Sequence, residues 1–151
     1  MICTKKRLIL CCTLLVALLA FIWGNSALPG QESGALSDWL GKFLSKFLPF
    51  LATESGLHFL RKAAHFSEFA ALGMSFFWLF GMTVKKAPLR YSLPVVCGAA
   101  AACIDETIQI FSPGRNCSIA DVGIDCAGVI TGCLVLLLLW KITQKRTKST
   151  T

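Results

Sequence analysis

Four apolar runs, at 8–23, 63–84, 92–111 and 119–140, are separated by basic or turn-rich stretches, the last two of them short. Chain that enters hydrocarbon must satisfy its own backbone, and an α-helix does so within one segment. The expected fold class is therefore all-α: a polytopic membrane protein with four transmembrane helices, forming one domain over 1–151. Composition agrees, since 55% of the residues are hydrophobic and only 15% charged, and the apolar residues come in blocks. The first run follows Lys5, Lys6 and Arg7 in the manner of a signal peptide, but the cleavage positions around Asn25, Ser26 and Ala27 are poor. Its roughly 16 residues reach only about 24 Å. It is expected to remain as an uncleaved first helix.

The stretch 24–37 is rich in turn-forming residues and predicts an exposed loop. Beyond it, Leu36, Trp39, Leu40, Phe43, Leu44, Phe47 and Leu48 recur at helical spacing, with Asp38, Lys42, Ser45 and Lys46 on the other side. That predicts an amphipathic helix over 36–48, stopped by Pro49, lying in the membrane interface or lidding the bundle. Pro94 is expected in the first turn of its span, where a missing N–H costs little. Orientation follows from the cations. The amino terminus, the 85–90 turn and the tail hold ten Lys and Arg, against five in the 24–62 and 112–118 segments. The richer set belongs in the cytoplasm, so both termini are expected inside and the amphipathic helix outside.

The net charge of +7 thus reads as an orientation signal. No basic patch interleaved with aromatics is visible, so nucleic acid is not an expected partner. Of the eight cysteines, six lie inside apolar runs as small hydrophobes and none forms a CxxC pair; Cys117 alone falls in a loop.

Ionisable groups inside the spans carry the functional signal. Glu68, Asp105 and Asp125 each lie about six residues from the outer end of their run, roughly 9 Å below the interface, with His65, Gln109 and Asp121 a turn shallower. Asp121 and Asp125 share one helix face, which Gly128 and Gly132 continue as a GxxxG ridge. Taken singly, each has an ordinary structural use: Asp121 fits a capping box opened by Ser118, and Asp105 or Glu106 could pair with Arg115 or Lys62 to fix register. Their convergence at one depth favours a site. Five carboxylates need counter-charge, which Arg115, Lys62, Arg61 and His65 supply in part; a divalent cation or bound protons would complete it.

The motifs K-x-x-H-F-x-E at 62–68, D-E-x-x-Q-x-F-x-P-G-R at 105–115 and D-x-x-x-D-x-x-G-x-x-x-G at 121–132 together resemble the VanZ-like family of bacterial membrane proteins, as does NSALPGQESGALS after the first run. The resemblance covers 25–132. It implies a multi-pass protein of the bacterial inner membrane, and a link to resistance against the glycopeptide teicoplanin without a secure biochemical activity. Its motif positions are Lys62, His65, Glu68, Asp105, Glu106, Gln109, Arg115, Asp121 and Asp125.

Three functions compete. A non-catalytic pocket under the amphipathic helix would hold a lipoglycopeptide or a lipid-linked cell-wall precursor, with Arg115 and Lys62 on its anionic groups. A membrane-embedded enzyme would use His65, Glu68, Asp105, Glu106 and Asp125 to hold a divalent ion or to move protons, though no HExxH or GxSxG motif supports it. A proton-coupled transporter is the third, and four spans are few for one. The first is the expectation.

Overall fold

Thr4 opens the first helix, its hydroxyl oxygen accepting the Arg7 N–H at 3.4 Å, and α1 then runs over Lys5–Ala27. The computed structural model describes residues 4–115 and 117–149. Leu36 of the expected amphipathic stripe, Asn116 of the turn motif, and Arg146 and Lys148 of the tail lie outside the described side chains. At 23 residues α1 is about 34 Å long, so the short first run is the centre of a full-length helix.

The expected loop at 24–37 is corrected to helix on both sides of a two-residue link, Leu28 and Pro29. α2 occupies Gly30–Leu44. Turn-forming residues did not break α1 because its last carbonyls find donors: the Ser26 carbonyl accepts the Ser112 hydroxyl at 2.8 Å and Arg115 Nη1 at 3.4 Å. The amphipathic helix therefore starts and stops earlier than 36–48. Pro49 keeps Leu48 out of helical backbone, and the chain unwinds from Ser45 ahead of it. A 3-10 turn at Pro49–Ala52 leads into α3, Glu54–Thr83, capped by Thr53 Oγ1 on the Gly56 N–H at 3.1 Å. α4 covers Ala87–Ile110 and α5 Ile119–Ser149. Because α4 begins at Ala87, Pro94 sits inside the helix rather than in its first turn.

Among the described residues, three helices are long and apolar enough to cross a membrane: Lys5–Ala27, Ala87–Ile110 and Ile119–Lys145. α3, at 30 residues, is longer than each of these stretches, but its first half carries Glu54, His58, Arg61, Lys62, His65 and Glu68, which lower its hydropathy. It is nevertheless the central helix, touching α1, α2, α4 and α5, with α5 the most extensive contact. Small residues bring α3 and α5 together. A Cβ on Gly132 would run into the Ala70 carbonyl, and one on Gly128 into the Phe66 carbonyl. Phe69, Leu72, Phe76 and Phe77 of α3, Ile22 of α1, Ala101 and Ala102 of α4, and Val129 and Cys133 of α5 fill the core.

Polarity is distributed the opposite way to that of a water-soluble bundle. Ile9, Val16 and Phe21 of α1, and Leu134, Leu138 and Leu139 of α5, point outward, while Asp105, Glu106, Gln109 and Asp125 are buried. Such a surface suits hydrocarbon and such an interior does not, so the buried polar groups must answer to one another or to a ligand. α2 repeats the pattern: Gly34, Ser37 and Gly41 lie buried on its inner side, and Trp39 and Phe43 stack at 6.1 Å on its exposed side.

Candidate functional site

The polar ends of α3, α4 and α5 meet beneath the start of α2 and the turn at 112–115. Gly114 makes that turn with φ of +74°, a left-handed backbone that glycine adopts without strain. The turn is pinned to the link between α1 and α2: Gly30 N donates to the Pro113 carbonyl at 3.0 Å, and Arg115 Nη2 donates to Ser33 Oγ at 2.5 Å. The guanidinium thus spans the end of α1 and the start of α2. Partial burial pushes Arg115 down from its usual pKa, and nearby Asp105 opposes that shift.

A cavity of about 380 Å³ opens here. Arg61, Lys62 and Arg115 give it positive charge, Glu106, Asp121 and Asp125 negative, and His58, His65, Gln109 and Ser118 further polar groups. Seven of the nine predicted site residues line it: Lys62, His65, Glu106, Gln109, Arg115, Asp121 and Asp125. Asp105 lies just behind the wall, fully buried, with Oδ2 accepting Gln109 Nε2 at 2.9 Å. Glu68 does not line the cavity; its Oε2 is buried with no hydrogen-bond partner.

Two structural uses weighed for these acids are replaced by others. Asp121 is not a capping residue through its side chain: its carboxylate takes Lys62 Nζ at 2.5 Å, while Ser118 Oγ accepts from Ala120 N at 3.2 Å. Glu106 takes over at the helix start, Oε2 accepting the Ser118 N–H at 2.8 Å, where a carboxylate also suits the α5 dipole. Among the described residues neither Asp105 nor Glu106 pairs with Arg115 or Lys62; the ion pairs there are Lys62 with Asp121 and the two longer approaches of His65.

Those approaches lie deepest. His65 Nδ1 stands 3.9 Å from Asp105 Oδ2 and 3.8 Å from Asp125 Oδ1, too far for hydrogen bonds. The three side chains come from three helices and present one donor atom each within 4.8 Å of one another. Asp105 Oδ1 and both oxygens of Asp125 are buried with no hydrogen-bond partner.

His58, Ser26 and Ser33 were not among the predicted residues, and Arg61 was only a possible counter-charge. His58, Arg61, Lys62 and His65 fall at i, i+3, i+4 and i+7, a helical stripe hidden by starting the helix at 63. Ser26 and Ser33 carried no such signal, since both lay in the expected loop.

Hydrocarbon-facing helices around a buried ionisable cluster define a small helical membrane protein with a polar cavity at one end of its bundle. The chain belongs to the VanZ/LLP1 family, whose model matches residues 9–140. No curated protein and no solved structure matches it.

Proposed function

We propose that this is a four-span protein of the bacterial inner membrane, with both termini cytoplasmic, that binds the charged head of an amphiphile in an outward-facing cavity. α3 is the fourth span in this reading. Its 30 residues reach about 45 Å, and its charged first half lies against the cavity rather than against lipid. The observation that carries the proposal is the two-signed wall of the cavity. Arg61, Lys62 and Arg115 suit phosphate or carboxylate, and Glu106, Asp121 and Asp125 suit amines, as on a lipoglycopeptide or a lipid-linked cell-wall precursor. The exposed Trp39–Phe43 stack on α2 would sit at the membrane interface and keep the cavity mouth at headgroup level.

The direct test is teicoplanin susceptibility of cells with and without expression, beside the Arg115→Ala protein at equal abundance. Lower susceptibility with the wild-type chain, lost in the variant, is the expected result. Equal susceptibility in all three strains removes the resistance role. A second reading, a membrane-embedded enzyme acting on a lipid-linked intermediate, is favoured by one observation: the close approach of His65, Asp105 and Asp125.

A further inference from the structure

We infer that His65, Asp105 and Asp125 bind one divalent first-row transition-metal ion at the buried wall of the cavity. The inference does not rest on the headgroup reading, although Asp125 belongs to both: an ion there would hold the carboxylate that the headgroup reading offers to an amine.

Charge gives the first argument. Asp105 and Asp125 are 0% and 1% exposed, and three of their four oxygens have no hydrogen-bond partner. A buried carboxylate left so has lost its hydration with nothing to replace it. Two of the three cavity cations are engaged elsewhere, Lys62 on Asp121 and Arg115 on Ser26 and Ser33, and the guanidinium of the third, Arg61, packs against Gly34 of α2. Geometry gives the second. Separations of 3.8 and 3.9 Å are too long for hydrogen bonds but just under two metal–ligand bonds of about 2.1 Å, so a single ion fits between the donors. The third is the support around the donors. Gln109 holds Asp105 by its amide, as outer residues hold metal-binding carboxylates, and Glu68 brings another unpartnered buried oxygen one turn from His65. One imidazole with carboxylates suits Mn²⁺ or Zn²⁺ better than Mg²⁺ or Ca²⁺, which take oxygen throughout.

The test uses the full chain in detergent, stripped with chelator, then loaded with Mn²⁺ or Zn²⁺, desalted and assayed for metal. About one ion per chain is expected for the wild type and for Glu54→Gln, an exposed acid outside the cavity, falling at least tenfold in Asp125→Asn and His65→Gln. Helix content by circular dichroism shows whether each variant is folded. Should either be unfolded, the His58→Gln protein decides, because His65 is then the remaining histidine. Its bound Mn²⁺ must show nitrogen coupling in pulsed EPR. Absence of metal from the wild type, full loading of both cluster variants, or bound Mn²⁺ without nitrogen coupling overturns the inference.

Discussion

Lys62 Nζ and Asp121 Oδ1, 59 positions apart in the chain, meet at 2.5 Å and fasten α3 to α5 at the rim of the cavity. Both side chains are about one-third exposed, 32% and 33%, so water screens the pair and its worth is about 1 kcal/mol or less. Lys62→Met and Asp121→Asn are each expected to lower stability by that amount. The double variant should be no worse than the weaker single, as a double-mutant cycle on thermal or denaturant unfolding in detergent would read. Strict additivity of the two losses would mean the contact contributes nothing.

The α3–α5 seam below that pair depends on absent side chains. A Cβ at Gly132 would penetrate the Ala70 carbonyl oxygen, which belongs to a helix backbone and cannot swing away. Gly132→Leu is therefore expected to cost about 2–3 kcal/mol or more, through displacement of one helix from the other. Gly123 is the control: it lies in the same helix with open space where its Cβ would be, so Gly123→Ala should be neutral or stabilise by up to about 1 kcal/mol. Equal melting temperatures for Gly132→Leu and wild type would show that the seam tolerates separation.

Much of this arrangement could be read from spacing alone. Start of α5 at Ile119, the convergence of ionisable groups from three helices, and the glycine ridge at 128 and 132 all follow from helical period and the cost of charge in hydrocarbon. Depth along the runs, however, pairs Glu68 with Asp105 and Asp125, where the structure brings His65 to them. Helix ends were harder. Ser26 and Ser33 look like loop residues because propensity counts only near neighbours, whereas Arg115, Ser112 and Gly30 stabilise that junction from across the fold. The charged first turns of α3 fall outside the apolar run at 63–84 for a related reason: hydropathy cannot tell a helix face that lines a cavity from one in water. The choice of partners within the cluster was open as well. Asp121 and Glu106 each had several cations or N–H groups in sequence reach, and only tertiary geometry separates Lys62 from the α5 amino terminus.

Arg115 tests whether shape or charge matters at the junction of α1, α2 and the turn. Its two Nη groups reach the Ser26 carbonyl and the Ser33 hydroxyl at once, a fork that a lysine ammonium does not reproduce. Arg115→Lys keeps the positive charge and is expected to lose about 1–2 kcal/mol of stability, with faster proteolytic cutting between 26 and 33. Unchanged cutting and melting in the lysine variant would reduce the role of Arg115 to charge alone.

Cys117 reports which side of the membrane the cavity faces. It is exposed in the short link between α4 and α5, beside Ser118 on the cavity wall, whereas Cys12 and Cys103, the other exposed thiols among the described residues, lie within the apolar helices α1 and α4. A membrane-impermeant maleimide reacts with a thiol in water and is excluded from hydrocarbon. On the proposed topology, with both termini cytoplasmic and four spans, the α4–α5 link is external. Cys3, near the amino terminus, lies on the opposite side in either orientation, so the parent and the Cys117→Ser protein both carry Cys3→Ser. Intact cells should then take up label on the parent, and Cys117→Ser should abolish it. Reaction confined to lysed or permeabilised cells would turn the protein over, place the cavity toward the cytoplasm, and end the case for a ligand arriving from outside.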